Sequence, residues 1–237
     1  MVTLIPIILA FVLSIVYIIS NKISTRTERY HEHILSLGSG MLLAIIFSEV
    51  IPELIDAGTK FLSSEMISLF MLSGFVGYHL IEKYTYKHVK TNKGLVKELG
   101  YLHVGGFFVD NFLEGLVLVL LFGLTTVENL LVYVLFVPLL LGDIAASITL
   151  NHLNDRFRLG KIGITILSLS IVFGAMVGSI LNLQAQSFYI ALAIITGIFI
   201  YFVTRDELPR GRKGKPKLFL IGLLSVLILF FLIRRVI

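Results

Sequence analysis

The sequence predicts an all-helical (all-α) membrane protein, a polytopic bundle of eight transmembrane helices. Of the 237 residues, 57% are apolar and only 15% are charged, whereas a soluble domain has about 25% charged residues. Eight apolar stretches are each about long enough to cross a bilayer, which takes about 20 helical residues. A soluble fold is therefore excluded, and one eight-span domain covering residues 1–237 is expected.

The predicted spans follow one another through short connections. They cover residues 2–20, 33–55, 66–83, 99–123, 128–150, 162–182, 187–204 and 216–233. The first span has no Lys or Arg before Ser20, unlike the basic start of a signal peptide, and is expected to be retained. Because the chain has no tryptophan, tyrosines such as Tyr17 and Tyr201 are expected to form the interfacial belt. Gly174 and Gly178 in the sixth span predict close helix packing.

Basic residues alternate between the connections and predict the orientation. The first, third, fifth and seventh connections are rich in Lys and Arg, whereas the even-numbered ones contain only Lys60. Excess Lys and Arg marks the cytoplasmic side, so both termini are expected outside a cell membrane that the chain crosses many times. Arg234 and Arg235 are the exception. This placement explains the net charge of +5 without a nucleic-acid partner.

The composition restricts the chemistry to oxygen and imidazole groups. With no cysteine there is no thiolate metal site and no thiol nucleophile. No nucleotide-binding loop, hydrolytic triad or H-E-x-x-H pattern is present, so no enzyme activity and no cofactor are expected. His31 and His33 are expected to be solvated in the first connection, whereas His79, His103 and Glu82 are placed at the inner ends of spans, where an exit vestibule is one interpretation.

Four carboxylates fall inside the predicted spans. Measured from the inner end at about 1.5 Å per residue, Asp143 lies at about 12 Å, Asp110 at about 16 Å, Glu114 at about 22 Å and Glu49 at about 24 Å. A charged group at the bilayer centre costs roughly 2.5–3.5 kcal/mol. The four are therefore expected to meet in the bundle interior.

The fourth span carries the densest pattern, D-N-F-L-E-G at residues 110–115. Asp110 and Glu114 are four residues apart and share a helix face, with Asn111 beside them. Three oxygen donors on one face resemble half of a divalent-cation shell. The alternative is a structural role in which protonated carboxyl groups hydrogen-bond neighbouring helices.

Two prolines lie beside this predicted path. Pro138 in the fifth span and Pro52 in the second remove one backbone donor each and are expected to kink their helices. The carbonyls of Val134 and Ser48 would then be available to a cation or water. Ordinary packing kinks are the alternative for both prolines.

These motifs resemble the ZIP (Zrt- and Irt-like) family of divalent metal transporters, whose fourth span carries a pattern close to H-N-F-x-[D/E]-G. F-S-E-V-I-P-E-L, G-F-V-G-Y-H-L-I-E-K and T-G-I-F-I-Y-F-V-T-R-D-E-L-P agree in order in the second, third and seventh spans, from about Gly38 to Pro209. The resemblance implies alternating access by two inverted three-helix repeats around the fourth and fifth spans, a 3+2+3 arrangement.

The sequence also departs from the family pattern. Asp110 and Glu49 stand where the family has histidine, and the connection between the third and fourth spans is short and lysine-rich. The fifth span, which in the family resembles H-E-I-P-H-E-L-G-D, here reads L-F-V-P-L-L-L-G-D at residues 135–143. The family's two-metal centre is therefore at best half present, and zinc is expected to bind less well relative to harder cations.

The sequence thus predicts transport of a divalent cation of the zinc, iron or manganese class. The expected site is Glu49, Asp110, Asn111, Glu114 and Asp143, and the metal is the substrate. The lipid bilayer and the metal ion are the expected partners, with a homodimer left open. Two alternatives remain: a non-transporting regulatory or scaffold protein of the same fold, and a proton-coupled carrier of another solute that uses Asp110 and Glu114 as relay groups.

Overall fold

The architecture is that of a helical bundle. A computed structural model describes residues 4–27, 30–90, 95–124, 129–157, 160–181, 184–207 and 214–236, and within these ranges it contains no strand. The helices are α1 (Leu4–Thr27), α2 (His31–Ile45), α3 (Ile51–Gly58), α4 (Ser64–Lys90), α5 (Leu95–Leu124), α6 (Asn129–Phe157), α7 (Gly160–Ile180), α8 (Ala185–Phe202) and α9 (Pro216–Val236). Two π-helical segments, Ile46–Val50 and Val203–Glu207, continue α2 and α8.

The predicted spans coincide with these helices. Seven helices in the described part of the chain are long and apolar enough to cross a membrane, and Pro216–Leu232 of α9 is a shorter apolar segment. The second span consists of α2, Ile46–Val50 and α3, and the seventh of α8 and Val203–Glu207. Several helices extend past the predicted spans, α4 as far as Lys90. The all-helical prediction is confirmed.

The outer surface of the bundle is apolar, as a lipid environment requires. Leu69, Leu72 and Leu80 on α4 are 61%, 57% and 56% exposed. A soluble protein would rarely leave a row of leucines on its surface, whereas acyl chains cover such a row without cost. The chain is a multi-pass membrane protein.

The helices pack in two sets that meet at the bundle centre. In one set α5 packs along α7, and α1 packs along α6 and α7. In the other set α2 packs along α9, and α4 along α8. Contacts of α2 with α6, and of α5 with α4 and α8, join the sets. The helices that carry Asp110 and Asp143, α5 and α6, also contact each other.

Pairs of glycines allow the closest helix contacts. A Cβ atom on Gly115 of α5 would fall on the carbonyl oxygen of Ile171, and one on Gly174 of α7 would fall on that of Phe112. The same reciprocal arrangement joins α2 to α9 through Gly40 and Gly222, and α4 to α8 through Gly74 and Gly197. The close packing predicted for the sixth span is confirmed.

The two prolines affect their helices differently. The second span widens into the π-helical segment Ile46–Val50 just before Pro52, which has no backbone donor for the regular helical ladder. By contrast, α6 runs from Asn129 to Phe157 as one helix with Pro138 inside it. The predicted irregularity is therefore present in the second span, and the fifth span shows no break in its helix.

Candidate functional site

Polar side chains gather where α1, α5 and α6 meet. Asp143 of α6 is 1% exposed and Asn111 of α5 is 2% exposed. Asp110 and Glu114 are half-buried on the same helix, and the Oε2 atom of Glu114 is fully enclosed. Three carboxylates and an amide thus share an interior location, as their cost in lipid predicts.

Asp143 is the most enclosed carboxylate of this polar cluster. Neither of its oxygens has a hydrogen-bond partner among the described residues. Glu114 is the acidic side chain that interacts with it, although no hydrogen bond of ordinary geometry joins the two. A buried polar atom without a partner loses its hydration and gains nothing in return, so Asp143 is costly to the fold.

Asn111 is held in a fixed orientation by α7. Its Nδ2 donates a hydrogen bond of 2.8 Å to the carbonyl oxygen of Leu167. A backbone carbonyl only accepts, so the amide nitrogen must occupy this position and the amide oxygen must point elsewhere. Ser170 donates to the same carbonyl at 2.6 Å. The close contact of α5 with α7 at Gly115 brings the two helices within this hydrogen-bonding distance.

Tyr17 belongs to this polar cluster, so its predicted place in the interfacial belt is wrong. The side chain is 0% exposed and lies within range of Asp143, Asn111, Glu114 and Asp110. The sequence contained a signal for this position: Ser14, Tyr17 and Asn21 recur every three or four residues on one face of an apolar helix. All three side chains on that face are buried.

Asp110 connects the polar cluster to α4. The hydroxyl of Tyr78 donates a hydrogen bond of 3.4 Å to its Oδ1 atom. Glu49, the fifth predicted ligand, lies half-buried in the π-helical segment Ile46–Val50, and its membership of the site stays a prediction. No three His, Asp or Glu side chains converge on one metal position in the described part of the chain.

A second group of polar side chains joins the C-terminal part of α4 to the seventh span. Tyr201 donates a hydrogen bond of 2.6 Å to Oε2 of Glu82, and Nδ1 of His79 lies 3.1 Å from the same hydroxyl. Glu82 also forms an ion pair with Arg205. Tyr201 is therefore buried within this α4–α8 network of His79, Glu82, Tyr201 and Arg205 and does not lie in an interfacial belt. His79 and Glu82 lie together as predicted, and the side chain of His103 is outside the described residues.

The two histidines at the start of α2 differ from the prediction. His31 and His33 are half-buried rather than solvated, and His31 Nε2 lies 3.0 Å from Oγ1 of Thr149 on α6. This contact fixes the start of α2 against α6. Leu135 and Leu139, which stand in the fifth span where the ZIP-like pattern has histidine, are 3% and 2% exposed and pack in the apolar core.

Comparison with known proteins adds no family assignment. No protein-family model matches the chain, and no curated protein matches it at a significant level. The donor groups of the polar cluster are the carboxylate oxygens of three acidic residues, the amide of Asn111 and the phenol of Tyr17. Oxygen donors of this kind suit hard divalent cations such as manganese, magnesium and calcium.

Proposed function

We propose that the protein transports a divalent metal cation across the membrane through the polar cluster of Asp110, Asn111, Glu114 and Asp143. The observation that carries the proposal is the carboxylate of Asp143, which is fully enclosed and has no hydrogen-bond partner among the described residues. A carboxylate in the middle of a membrane helix costs roughly 2.5–3.5 kcal/mol. A cation that visits the site would offset that cost.

A purely structural role accounts less well for this geometry. A protonated carboxyl group that served packing would donate a hydrogen bond to a neighbouring helix, as Asn111 of α5 does to the carbonyl of Leu167 on α7 at 2.8 Å. Asp143 makes no such bond to a described residue. Glu114 is the acidic group that interacts with it. Two such groups repel each other when both are ionised, and a divalent cation between them would relieve that repulsion.

The donor set defines the class of cation. All the groups in the polar cluster offer oxygen, which favours manganese, magnesium or ferrous iron over zinc relative to a histidine-containing site. Zinc stays within the proposed class because carboxylates also bind it. The widened segment Ile46–Val50, which carries Ser48 and Glu49, supports a polar route along the second span, since π-helical turns are frequent at functional sites.

The proposed mechanism is the alternating access that the resemblance to the ZIP family implies. In that arrangement α5 and α6 are central, and two inverted three-helix repeats flank them. The contact of α5 with α6 supports it, as does the presence of Asp110, Asn111, Glu114 and Asp143 on these two helices. Membership of the family is part of the proposal.

The test is cation uptake by the full-length protein in reconstituted vesicles, using a panel of manganese, iron and zinc ions. Asp143→Asn, Asp110→Ala and Glu114→Ala should each abolish uptake while leaving folded protein in the membrane. Asp56→Asn is the matched control, because Asp56 is exposed at the end of α3 and its loss should leave uptake unchanged. Uptake that survives in all three site variants would overturn the proposal.

The runner-up function is a regulatory or scaffold role without transport. The buried leucines Leu135 and Leu139, at positions where the ZIP-like pattern has ligands, favour it. It predicts that vesicles with the unmodified protein take up none of the metals and that Asp143→Asn changes only stability. The same uptake experiment therefore separates the two functions.

A further inference from the structure

The hydroxyl of Tyr17 is an unexplained polar atom in the centre of α1. The residue is 0% exposed, and its hydroxyl has no hydrogen-bond partner among the described residues. Its ring packs against Leu150 of α6 and against Ile164 and Leu167 of α7. A phenylalanine would fill the same apolar space without burying an unsatisfied donor, and the chain uses phenylalanine at 18 other positions.

The hydroxyl of Tyr17 lies among the polar side chains of α5 and α6. Asn21, one turn after Tyr17 on α1, donates a hydrogen bond of 3.1 Å to the carbonyl oxygen of Ser147, which lies one turn after Asp143 on α6. Tyr17 therefore lies beside Asp143, and the Asn111 side chain is within reach of its hydroxyl. The amide nitrogen of Asn111 is engaged with Leu167 on α7. The phenol of Tyr17 therefore approaches, from a third helix, the same polar cluster to which α5 and α6 contribute.

We propose that Tyr17 is the neutral member of the cation site: its oxygen faces the cation while its proton is donated to Asp143. The inference rests on the proposed function. Asp110, Glu114 and Asp143 already give the polar cluster its negative charge, so a further acidic ligand would add repulsion. A phenol adds an oxygen donor without adding negative charge, and the number of charged ligands tunes cation affinity.

The experiment measures two quantities on the full-length protein in detergent: the binding of manganese(II) by titration and the thermal unfolding midpoint without metal. The variants are Tyr17→Phe, Asp143→Asn and the control Tyr189→Phe. Tyr189 is a buried tyrosine of α8 that stacks on Phe61, away from the polar cluster. We expect Tyr17→Phe to bind manganese about tenfold more weakly and to unfold at an equal or higher temperature than the unmodified protein.

The outcomes distinguish this inference from the proposed function. If Asp143→Asn loses manganese binding while Tyr17→Phe binds as tightly as the unmodified protein, Tyr17 is not part of the site and the transport proposal stands. If Asp143→Asn also binds normally, both fail. A lower unfolding temperature for Tyr17→Phe, with unchanged binding, would show that the hydroxyl serves the fold and would overturn the inference.

Discussion

Tyr78 of α4 donates a hydrogen bond of 3.4 Å to Asp110 of α5, and this contact crosses between the two sets of packed helices. The same tyrosine packs edge-on against Phe202 with ring centroids 4.7 Å apart, and its ring lies 5.6 Å from that of Tyr201. Tyr201 in turn binds Glu82. The polar cluster and the α4–α8 network are thus connected through aromatic residues at the junction of α4, α5 and α8.

Removing the Tyr78 hydroxyl should weaken this junction. We expect Tyr78→Phe to lower the free energy of unfolding by about 1 kcal/mol, the net value of a hydrogen bond to a partly buried carboxylate. Tyr84→Phe is the control on the same helix, because Tyr84 is 65% exposed. Unfolding in detergent measures both variants, and equal stabilities would show that the Tyr78 contact does not contribute.

The spans were predictable because the length and apolarity of each segment are local properties. Leu4–Thr27 and Gly160–Ile180 begin and end within a few residues of the predicted stretches, apart from the polar extension of α1. The interior placement of Asp143 and Asn111 followed from the cost of polar groups in lipid. A single sequence carries this information without any knowledge of which helices meet.

Contacts between distant helices were not predictable in the same way. Arg205 was counted as a basic residue of the seventh connection, and nothing local to it indicates Glu82, 123 residues away, as its partner. Tyr17 was assigned to the interface because tyrosine is common there, whereas its polar neighbours on α5 and α6 determine its actual position. The role of Gly115 in packing against α7 likewise depends on which helix lies opposite.

Gly115 should not tolerate a larger residue. A Cβ there would fall on the backbone oxygen of Ile171, so α5 and α7 must separate, and we expect Gly115→Ala to cost about 1–3 kcal/mol. Gly77→Ala is the matched control, since a Cβ on Gly77 would meet nothing within 4 Å and alanine favours the helix by about 0.5–1 kcal/mol. The two substitutions should change the free energy of unfolding in opposite directions. A Gly115→Ala variant as stable as the unmodified protein would contradict the packing.

The ion pair of Glu82 with Arg205 should show energetic coupling. Either Glu82→Gln or Arg205→Gln leaves the other charge unpaired near Tyr201, so the double variant should be less destabilised than the sum of the two. Because the Arg205 side chain is 33% exposed, we expect a coupling of about 1 kcal/mol. The control combines Glu82→Gln with Lys60→Gln, because Lys60 is an exposed lysine beyond α3; the two changes in the free energy of unfolding should add. If the changes also add for Glu82→Gln with Arg205→Gln, the ion pair does not contribute to stability.

The orientation in the membrane follows from the basic connections and stays a prediction. A reporter fused after Lys90 should appear in the cytoplasm, and one fused after Thr59 should appear outside, because Lys and Arg are retained on the cytoplasmic side. Accessibility of each reporter to a membrane-impermeant reagent in intact cells measures this. The prediction has one span between the two fusion points. Both reporters on one side would mean that the chain does not cross the membrane once between them, which would refute the span count.

The choice of metal should respond to the donor at position 110. Replacing an acidic oxygen with imidazole nitrogen favours zinc, which prefers nitrogen and sulfur ligands, over manganese, which prefers oxygen. We therefore expect Asp110→His to raise the affinity for zinc relative to manganese in a competition assay on the purified full-length protein. Asp56→His controls for adventitious zinc binding by an added exposed histidine. If Asp110→His and Asp56→His change the zinc-to-manganese ratio equally, or if the ratio at position 110 moves toward manganese, Asp110 is not a ligand in the proposed cation site.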